Sequence, residues 1–247
     1  MANENRPSII PETYVELTDE LRHQLDSVST ATLAGQLQGR GLRSTFLSGL
    51  KPTRPELRLL GHAHTLRYVP LREDLPRKLG NPNAQRVAVE GVGPDEVLVI
   101  EARGEADAGT IGDIFTMRAL RRGATGIITD GALRDTPAIT ALDIPVYHQS
   151  SHAATLGRLH TPLETQVVIS CAGVTIVPGD VLVGDAEGVV VIPSDLVVEV
   201  AAAAYSQEQE EEFALQRVAE GASSIGYFPL AKENRAEFEA WLAERQG

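Results

Sequence analysis

Two short segments of the chain carry residue types that can perform chemistry. The first is residues 112–115 (GDIF) and the second is residues 130–135 (DGALRD). Asp113 in the first segment, with Arg134 and Asp135 in the second, brings two carboxylates and a guanidinium to the two ends of one predicted helix-strand unit. This layout suits the binding of a divalent metal and a small anionic substrate.

The first segment is typical of a helix start that binds an anion. A helix N-terminus has about four unpaired backbone N–H groups and a partial positive charge, so it holds a carboxylate well. Gly112 would let a ligand approach the backbone closely. We expect the amides of Ile114 and Phe115 to donate to a substrate carboxylate, and Asp113 to face a metal or one of its waters.

The second segment adds an arginine and a second carboxylate. Arg134 offers a planar fork for a ketone or enolate oxygen, and Asp135 offers a hard oxygen ligand for Mg²⁺ or Mn²⁺. Magnesium takes only one or two protein carboxylates, so Asp113 and Asp135 suffice. The reaction class indicated is stabilisation of an enolate next to a carboxylate. From the local pattern alone, however, an ordinary helix cap and an ordinary polar turn are the favoured explanation.

The elements around these segments predict a parallel crossover. Residues 59–69 and 97–100 suit strands, residues 112–123 a helix that ends at Gly123, and residues 126–129 a buried strand. In such a unit the ligand lies at the carboxyl ends of the strands. The apolar spacing of the helix is carried by Ile114, Phe115, Ala119 and Leu120.

The remaining chain predicts helices at both termini and further strands between them. Residues 12–40 indicate two short helices, the second beginning at Ser29 or Thr30 and closing at Gly39 or Gly41. Residues 144–147 and 166–170 indicate strands, and residues 177–193 two short strands with two turns. A long helix with Ser194 as its N-cap would end at Gly221, and another would span about 230–245.

Composition excludes several classes of protein. The 247 residues carry a formal net charge of −12, without one basic stripe, which disfavours direct nucleic-acid binding. No apolar run reaches the ~18 to 20 residues of a membrane span, and the first ten residues lack a signal-peptide pattern. A single cysteine, Cys171, cannot form an intrachain disulfide. We expect one cytoplasmic domain with added terminal helices.

Taken in order, these features resemble the RraA-like family, which includes 4-hydroxy-4-methyl-2-oxoglutarate (4-carboxy-4-hydroxy-2-oxoadipate) aldolases and the regulator of ribonuclease activity A. The matching pieces cover about residues 28–220. They are residues 28–33 (VSTATL), Gly112-Asp113 with twenty residues before Arg134-Asp135, Gly123 and Gly126 within that interval, and residues 178–193 (PGDVLVGDAEGVVVIP).

The resemblance implies an α/β fold, a swivelling-domain-type β/β/α sandwich with added N- and C-terminal helices. It implies a domain over residues 28–220, preceded by a helical arm (1–27) and followed by a helical extension (221–247) packed on it. It also implies homotrimers or homohexamers with active sites between subunits. In the aldolases, the residues that match residues 112–115 and Arg134 bind pyruvate, and the one that matches Asp135 ligates the metal.

The activity implied is that of a Mg²⁺- or Mn²⁺-dependent class II pyruvate aldolase, a carbon-carbon lyase. It would cleave a 4-hydroxy-2-oxo acid to pyruvate and a second carbonyl product, and decarboxylate oxaloacetate through the same enolate. The base would be a water or hydroxide on the metal, or a neighbouring subunit's carboxylate. The alternative is a non-catalytic regulator that binds an RNA-processing enzyme. Regulators typically lack the acid that follows the arginine, so Asp135 favours the enzyme.

Other polar groups have structural explanations beside the functional ones. The acidic run 207–212 (QEQEEE) lies where aldolase relatives have a glutamate that reaches an adjacent subunit's metal waters, or it is a solvated helix face. The loop 104–109 (GEADAG) departs from the family pattern, which leaves the C4 substituent of the substrate open. His62 and His64 share a strand face without a third zinc ligand. His148 and His152 flank a serine pair outside any nucleophile elbow, and Cys171 lies in an apolar run.

Overall fold

A computed structural model describes residues 8–80 and 82–246 of the chain. Residues 1–7, which carry the signal-peptide argument and open the predicted arm, lie outside this range, as does the last residue of the extension. The helices are α1 (Asp19–Asp26), α2 (Thr30–Gly39), α3 (Leu75–Leu79), α4 (Ala84–Gly91), α5 (Asp113–Arg122), α6 (Thr136–Thr140), α7 (Val197–Ala219) and α8 (Arg235–Gln246).

The strands form three sheets in the described part of the chain. They are β1 (Lys51–Pro52), β2 (Leu59–Pro70), β3 (Glu96–Glu101), β4 (Gly109–Ile111), β5 (Gly126–Thr129), β6 (Ala132–Leu133), β7 (Val146–His148), β8 (Ser150–Ser151), β9 (His160–Thr165), β10 (Ile169–Cys171), β11 (Val174–Ile176), β12 (Val181–Gly184) and β13 (Val189–Ile192). The large sheet has the order β1-β7-β5-β3-β2-β12-β13, with β9 also paired to β2. Strands β2, β3, β5 and β7 run parallel to one another, whereas β1 is antiparallel to β7 and β12 is antiparallel to β2.

Side chains that alternate along each strand build a core on both faces of the large sheet. Val181 and Val183 pack with helices α1, α2 and α7 on one face. On that same face, Leu98 and Ile127 pack with α4 and α5. Val97, Val99 and Leu182 point to the opposite face, which the β10–β11 hairpin covers with Ile169 and Cys171. The result is the β/β/α sandwich with terminal helices that the sequence predicted.

The smaller parallel sheet, β4-β6-β8, positions the two chemistry-bearing segments. Strand β4 leads directly into α5, and β6 leads directly to Arg134 and Asp135. Because β4 and β6 are parallel neighbours, their carboxyl ends lie side by side, as expected for a ligand site. The predicted crossover is also confirmed, because β3 and β5 pair in parallel with α5 between them in sequence.

Several predicted boundaries are confirmed and others are wrong. Helix α5 has Gly112 as its N-cap and Gly123 in the left-handed conformation as its C-cap, and α2 has the predicted N-cap Ser29. Helix α7 begins after Leu196 and not at Ser194, because residues 194–196 form a turn. Helix α8 begins at Arg235, later than predicted. Sequence reasoning did not predict β4, α3 or α4.

The predicted apolar face of α5 is wrong at its first residue. Ile114 is 78% exposed, whereas Thr116 and Ala119 are buried. The Ile114 side chain therefore lies on the solvent-exposed side of α5. Across residues 8–80 and 82–246, we find no helix with the length and apolar character to cross a membrane.

Asp180 is a buried acid in the turn before β12. Its Oδ2 accepts a hydrogen bond from the Val177 amide at 2.8 Å, and its carbonyl accepts one from the Ala63 amide at 2.8 Å. Burial is the main cause that raises the pKa of the Asp180 carboxyl to about 6, against the bonds from backbone amides that lower it. The turn thus contains a carboxyl that is easier to protonate in the folded chain than in the unfolded one.

This pKa predicts a pH-dependent contribution to stability. The folded carboxyl binds a proton more tightly than the unfolded one, so the stabilisation by protonation is present at low pH and lost as pH rises through about 6. Asp180→Asn keeps an acceptor and removes the charge. We expect its free energy of unfolding, relative to the unmodified protein, to rise by about 2–3 kcal/mol between about pH 4 and pH 7.

Urea unfolding at both pH values measures this difference. Asp143→Asn is the matched control, because the Asp143 side chain is 88% exposed. An Asp180→Asn difference that stays the same at both pH values would contradict the assignment.

Candidate functional site

The start of α5 combines an extended cap residue with an acid. Gly112 is extended, so its missing side chain matters for space and not for its backbone angles. A Cβ built there would lie 2.9 Å from Asp135 Oδ2. Asp113 Oδ1 accepts a hydrogen bond from the Ile114 amide at 2.8 Å. The amides of the first helical turn lack backbone acceptors within the helix, which makes this end of α5 positive. The contact at Gly112 shows that the Asp135 carboxylate lies beside this end.

A backbone hydrogen bond fixes the position of Arg134 relative to β4. The Arg134 amide donates to the Ile111 carbonyl at 3.0 Å. A Cβ on Gly109 would lie 2.7 Å from Arg134 Cβ, so the two segments touch only because this position has no side chain. Arg134 Nε lies 3.6 Å from Asp135 Oδ2, a charge contact longer than a hydrogen bond, and their side chains are 45% and 40% exposed.

Asp135 itself occupies a conformation that few residues adopt. Its φ of 60° lies in the left-handed region, where it caps the short helix α6 without a side-chain hydrogen bond to that helix. Aspartate tolerates this region better than most residues because its short polar side chain bonds locally. The backbone conformation therefore sets the direction of the Asp135 side chain, and its carboxylate makes no capping hydrogen bond to α6.

All six predicted site residues line one cavity of about 410 Å³. They are Gly112, Asp113, Ile114, Phe115, Arg134 and Asp135. This volume lies within the range of ligand pockets, roughly 300–1,000 Å³. These six residues thus bring the positive end of a helix, the guanidinium of Arg134 and two carboxylates to one cavity.

Two further lining residues come from α4, which sequence reasoning did not predict. Gln85 is buried and its Nε2 donates to the Thr110 carbonyl at 2.7 Å. The Arg86 guanidinium carbon lies 5.5 Å from the centroid of the Phe115 ring, a cation–π distance. Asn83 as an N-cap, followed by apolar residues at Ala84 and Ala88, is the sequence signal that would have predicted this helix.

Asp130, which shares a segment with Arg134 and Asp135, lies outside the cavity. Its carboxylate accepts hydrogen bonds from the amides of Ala102 at 2.5 Å, Gly104 at 3.1 Å and Ala172 at 3.3 Å. Burial raises its pKa, although these amides lower it. Asp130 therefore anchors the β3–β4 loop and the β10–β11 hairpin to the end of β5.

The donor set of the cavity fits a hard divalent cation. Asp113 and Asp135 are oxygen donors, and Mg²⁺ commonly uses one or two carboxylates with waters in its remaining positions. Across the described residues, no group of three or more histidine, cysteine, aspartate or glutamate side chains is arranged to hold a metal. The set thus suits Mg²⁺ or Mn²⁺ better than a zinc cage of protein ligands.

Comparison with known proteins places the chain in a family. The family model RraA-like, described as aldolase/RraA, matches residues 30–191. The chain belongs to the RraA-like family. The matched range contains β4, α5 and β6, and it ends before α7.

Relatives of this RraA-like chain carry two kinds of name. Protein DlpA of Legionella pneumophila is 28% identical over 222 residues, which is 90% of this chain but 35% of the relative, so the chain spans about a third of that protein. A protein of Halalkalibacterium halodurans named "Putative 4-hydroxy-4-methyl-2-oxoglutarate aldolase" is 28% identical over 207 residues, 82% of this chain and 90% of the relative.

Among solved structures, an unusual member of the RNase ES inhibitor RraA family from Streptomyces coelicolor is similar to most of this chain. It is 32% identical, with a TM-score of 0.76, and the match covers 84% of this chain and 100% of that one. The swivelling-domain-type sandwich predicted from the resemblance is thereby confirmed.

Three histidines of this RraA-like chain have structural partners, whereas the buried Nδ1 of His148 has no hydrogen-bond partner among the described residues. His64 Nδ1 lies 3.2 Å from Glu96 Oε2. His62 Nδ1 lies 3.2 Å from the Gly179 carbonyl, and its ring packs at 5.2 Å from Tyr14. His152 Nδ1 accepts from the Ala154 amide at 3.0 Å. Cys171 is buried as predicted, and burial raises the pKa of its thiol.

The acidic run on α7 is largely engaged within the chain. Glu210 pairs with Arg235 at 2.6 Å, and Glu212 pairs with Arg245 at 2.6 Å, so both join α7 to α8. Glu208 and Glu211 line a surface cavity of about 630 Å³ beside α7. None of this run lines the 410 Å³ cavity of the same chain.

Two glycine variants test how the site is packed. In Gly109→Ala the new Cβ meets Arg134 Cβ at 2.7 Å and the Ala154 carbonyl oxygen at 3.1 Å, both on or next to the backbone. We expect a loss of about 1–3 kcal/mol in the free energy of unfolding from overpacking. In Gly112→Ala the Cβ meets only the end of the Asp135 side chain, which can move, so we expect a loss below about 1 kcal/mol.

Urea unfolding of both variants provides the measurement. Equal losses would show that the Gly109 contact is not the tighter of the two and would contradict the described packing.

Proposed function

We propose that this chain is a divalent-metal-dependent class II pyruvate aldolase. It cleaves a 4-hydroxy-2-oxo acid, of the 4-hydroxy-4-methyl-2-oxoglutarate or 4-carboxy-4-hydroxy-2-oxoadipate type, to pyruvate and a second carbonyl product. The observation that carries the proposal is the contact at Gly112, where the Asp135 carboxylate lies 2.9 Å from an added Cβ. The same cavity is lined by Asp135, which we propose as a metal ligand, by the start of α5 and by Arg134.

The substrate would bind through its pyruvyl half. Its carboxylate takes hydrogen bonds from amides at the start of α5, with Phe115 N–H as a donor, because the positive helix end favours an anion. The Arg134 guanidinium donates to the oxygen at C2. These contacts hold C2 and C3 rigidly while the bond to C4 breaks.

The bond-breaking step shifts electrons from the C4 hydroxyl towards the C2 oxygen. The C4 hydroxyl gives its proton to a base, either a water in the cavity or a carboxylate of a neighbouring subunit, and its oxygen becomes the carbonyl oxygen of the second product. As the C3–C4 bond breaks, its electrons form the C2–C3 double bond, and the C2 oxygen becomes the enolate. Arg134 stabilises this negative charge through charge-assisted hydrogen bonds, and protonation at C3 then gives pyruvate.

Asp113 and Asp135 would hold the Mg²⁺ or Mn²⁺. When bound, the cation supplies positive charge that stabilises the enolate oxygen and polarises the C2 carbonyl. Asp113 is positioned for this role because its Oδ1 accepts from the Ile114 amide, which fixes the carboxylate at the helix start. Asp135 is positioned by its left-handed backbone.

The same site accounts for decarboxylation of oxaloacetate. Loss of CO₂ from the C4 carboxylate breaks the same C3–C4 bond and leaves the same pyruvate enolate, so Arg134 stabilises both reactions. A relative supports this reaction class. It matches 82% of this chain and is named "Putative 4-hydroxy-4-methyl-2-oxoglutarate aldolase".

We also propose a homotrimer or homohexamer in which the domain of residues 28–220 forms the active sites between subunits. Exposed apolar side chains on α7 and the following loop support an interface there, namely Leu215, Val218, Ile225 and Phe228. Glu210 and Glu212 form salt bridges with α8. Glu208 and Glu211 accept hydrogen bonds from the uncharged side chains of Ser29 and Gln207, so we propose these two glutamates for contact with a neighbouring subunit.

A coupled pyruvate assay with oxaloacetate tests the activity. We expect turnover that requires added Mg²⁺ or Mn²⁺ and stops with a chelator. Asp135→Ala should lower kcat/KM at least about a hundredfold, because it removes a metal ligand. Asp143→Ala is the control and should leave kcat/KM unchanged, because the Asp143 side chain is 88% exposed and does not line the cavity.

Turnover without a metal, or full activity in Asp135→Ala, would overturn the proposal. The second candidate function is a non-catalytic regulator of an RNA-processing enzyme, which the similarity to the Streptomyces coelicolor RraA-family structure favours. A direct pull-down of such an enzyme, with no lyase activity on any 4-hydroxy-2-oxo acid, would support the regulator instead.

A further inference from the structure

A second guanidinium, that of Arg86, faces the candidate site from α4. Arg86 lines the same cavity of about 410 Å³ as Arg134. The two arginines come from elements that are separate in sequence, since α4 precedes β3 and Arg134 follows β6. The cavity therefore contains two cationic groups, although the chain carries a net charge of −12.

Helix α4 fixes the base of the Arg86 side chain. The Asn83 side chain accepts from the Arg86 amide at 3.0 Å and caps the helix. Its neighbour Gln85 is buried and donates to the Thr110 carbonyl at 2.7 Å, which ties α4 to β4. Ala88 and Val89 are fully buried against the sheet. Arg86 thus projects from a rigid element and not from a loop.

The aromatic ring of Phe115 positions the far end of Arg86. The guanidinium carbon lies 5.5 Å from the ring centroid, a contact that leaves the N–H edge of the guanidinium available to an acceptor. Phe115 belongs to the α5 start that binds the pyruvyl carboxylate in the proposed function. Helix α5, which would bind the substrate carboxylate, therefore also holds the Arg86 guanidinium close to that position through Phe115.

The charge of Arg86 has no close partner in the described part of the chain. Glu90, one turn farther along α4, is taken by Arg118, with Nε and Nη2 contacts of 2.5–3.1 Å. Arg134 has Asp135 at 3.6 Å. A bound anion would give the Arg86 guanidinium the close charge partner that it lacks in the described part of the chain.

We infer that Arg86 binds a second carboxylate of the substrate, at the end that leaves with the second product. This inference rests on the proposed function, whose substrates carry a carboxylate on C4, and it names the residue that recognises that carboxylate. The pyruvyl carboxylate has the α5 amides and the C2 oxygen has Arg134, so the planar fork of Arg86 serves a third anionic position. The second product is then itself an oxo acid.

Paired substrates test this assignment. The unmodified enzyme should prefer 4-hydroxy-2-oxoglutarate, which has the distal carboxylate, over 4-hydroxy-2-oxopentanoate, which lacks it. Arg86→Gln should lower kcat/KM for the dicarboxylic acid about a hundredfold, mainly by raising KM, and change that for the monocarboxylic acid less than about threefold. Arg86→Lys should recover part of the loss, because it keeps the charge without the fork.

Arg121→Gln is the matched control. Arg121 is an exposed arginine in the last turn of α5 and does not line the cavity, so its removal should leave both substrates unaffected. Equal losses on both substrates in Arg86→Gln would overturn the inference, because Arg86 would then act on the shared pyruvyl half or on folding.

Calorimetry separates failure of this inference from failure of the aldolase proposal. Binding of 2-oxoglutarate and 2-oxopentanoate is measured in the presence of Mg²⁺ for the unmodified protein and Arg86→Gln. Selective weakening of 2-oxoglutarate supports the distal carboxylate site even if no lyase turnover is found. Lyase turnover with unchanged 2-oxoglutarate binding in Arg86→Gln rejects the Arg86 role and leaves the aldolase proposal standing.

Discussion

The close parallel pairing of β4 with β6 is the constraint on which the candidate site depends. The Arg134 amide donates to the Ile111 carbonyl at 3.0 Å, and the absence of a side chain at Gly109 permits this approach. Because α5 starts immediately after β4, the pairing brings the positive end of a helix to the Arg134-Asp135 step. A wider separation of the two strands would leave a helix cap and a polar turn with no common cavity.

Local charge and net charge act differently in this protein. The chain as a whole carries −12, which disfavours polyanions such as nucleic acids. Within the cavity, the end of α5, Arg134 and Arg86 supply positive charge, and Asp113 and Asp135 supply negative charge. The proposed substrate and cation would match both sets of charges, because the carboxylates of the substrate would meet the cationic groups and the cation would meet the carboxylates of the protein.

Burial separates acids that look alike in sequence. Asp130 and Asp135 lie in one six-residue segment, and either could ligate a metal by residue type. Three backbone amides occupy the buried Asp130 carboxylate, and this compensates the cost of desolvating it. Asp135 is exposed and bonded to no amide of α6. The first therefore anchors loops, and the second remains available to a ligand.

The sequence by itself determined the elements whose signals are local. Gly112 and Gly123 cap the two ends of α5, and residues 126–129 form a buried strand. Both were predictable because helix caps and apolar runs depend only on residues close in sequence. Tertiary structure alone decided that Ile114 faces outward, that Asp130 is an anchor and that Arg86 lines the cavity. These outcomes depend on packing between β4, β6, α4 and α5, which are distant in sequence, and no local pattern encodes the distances between them.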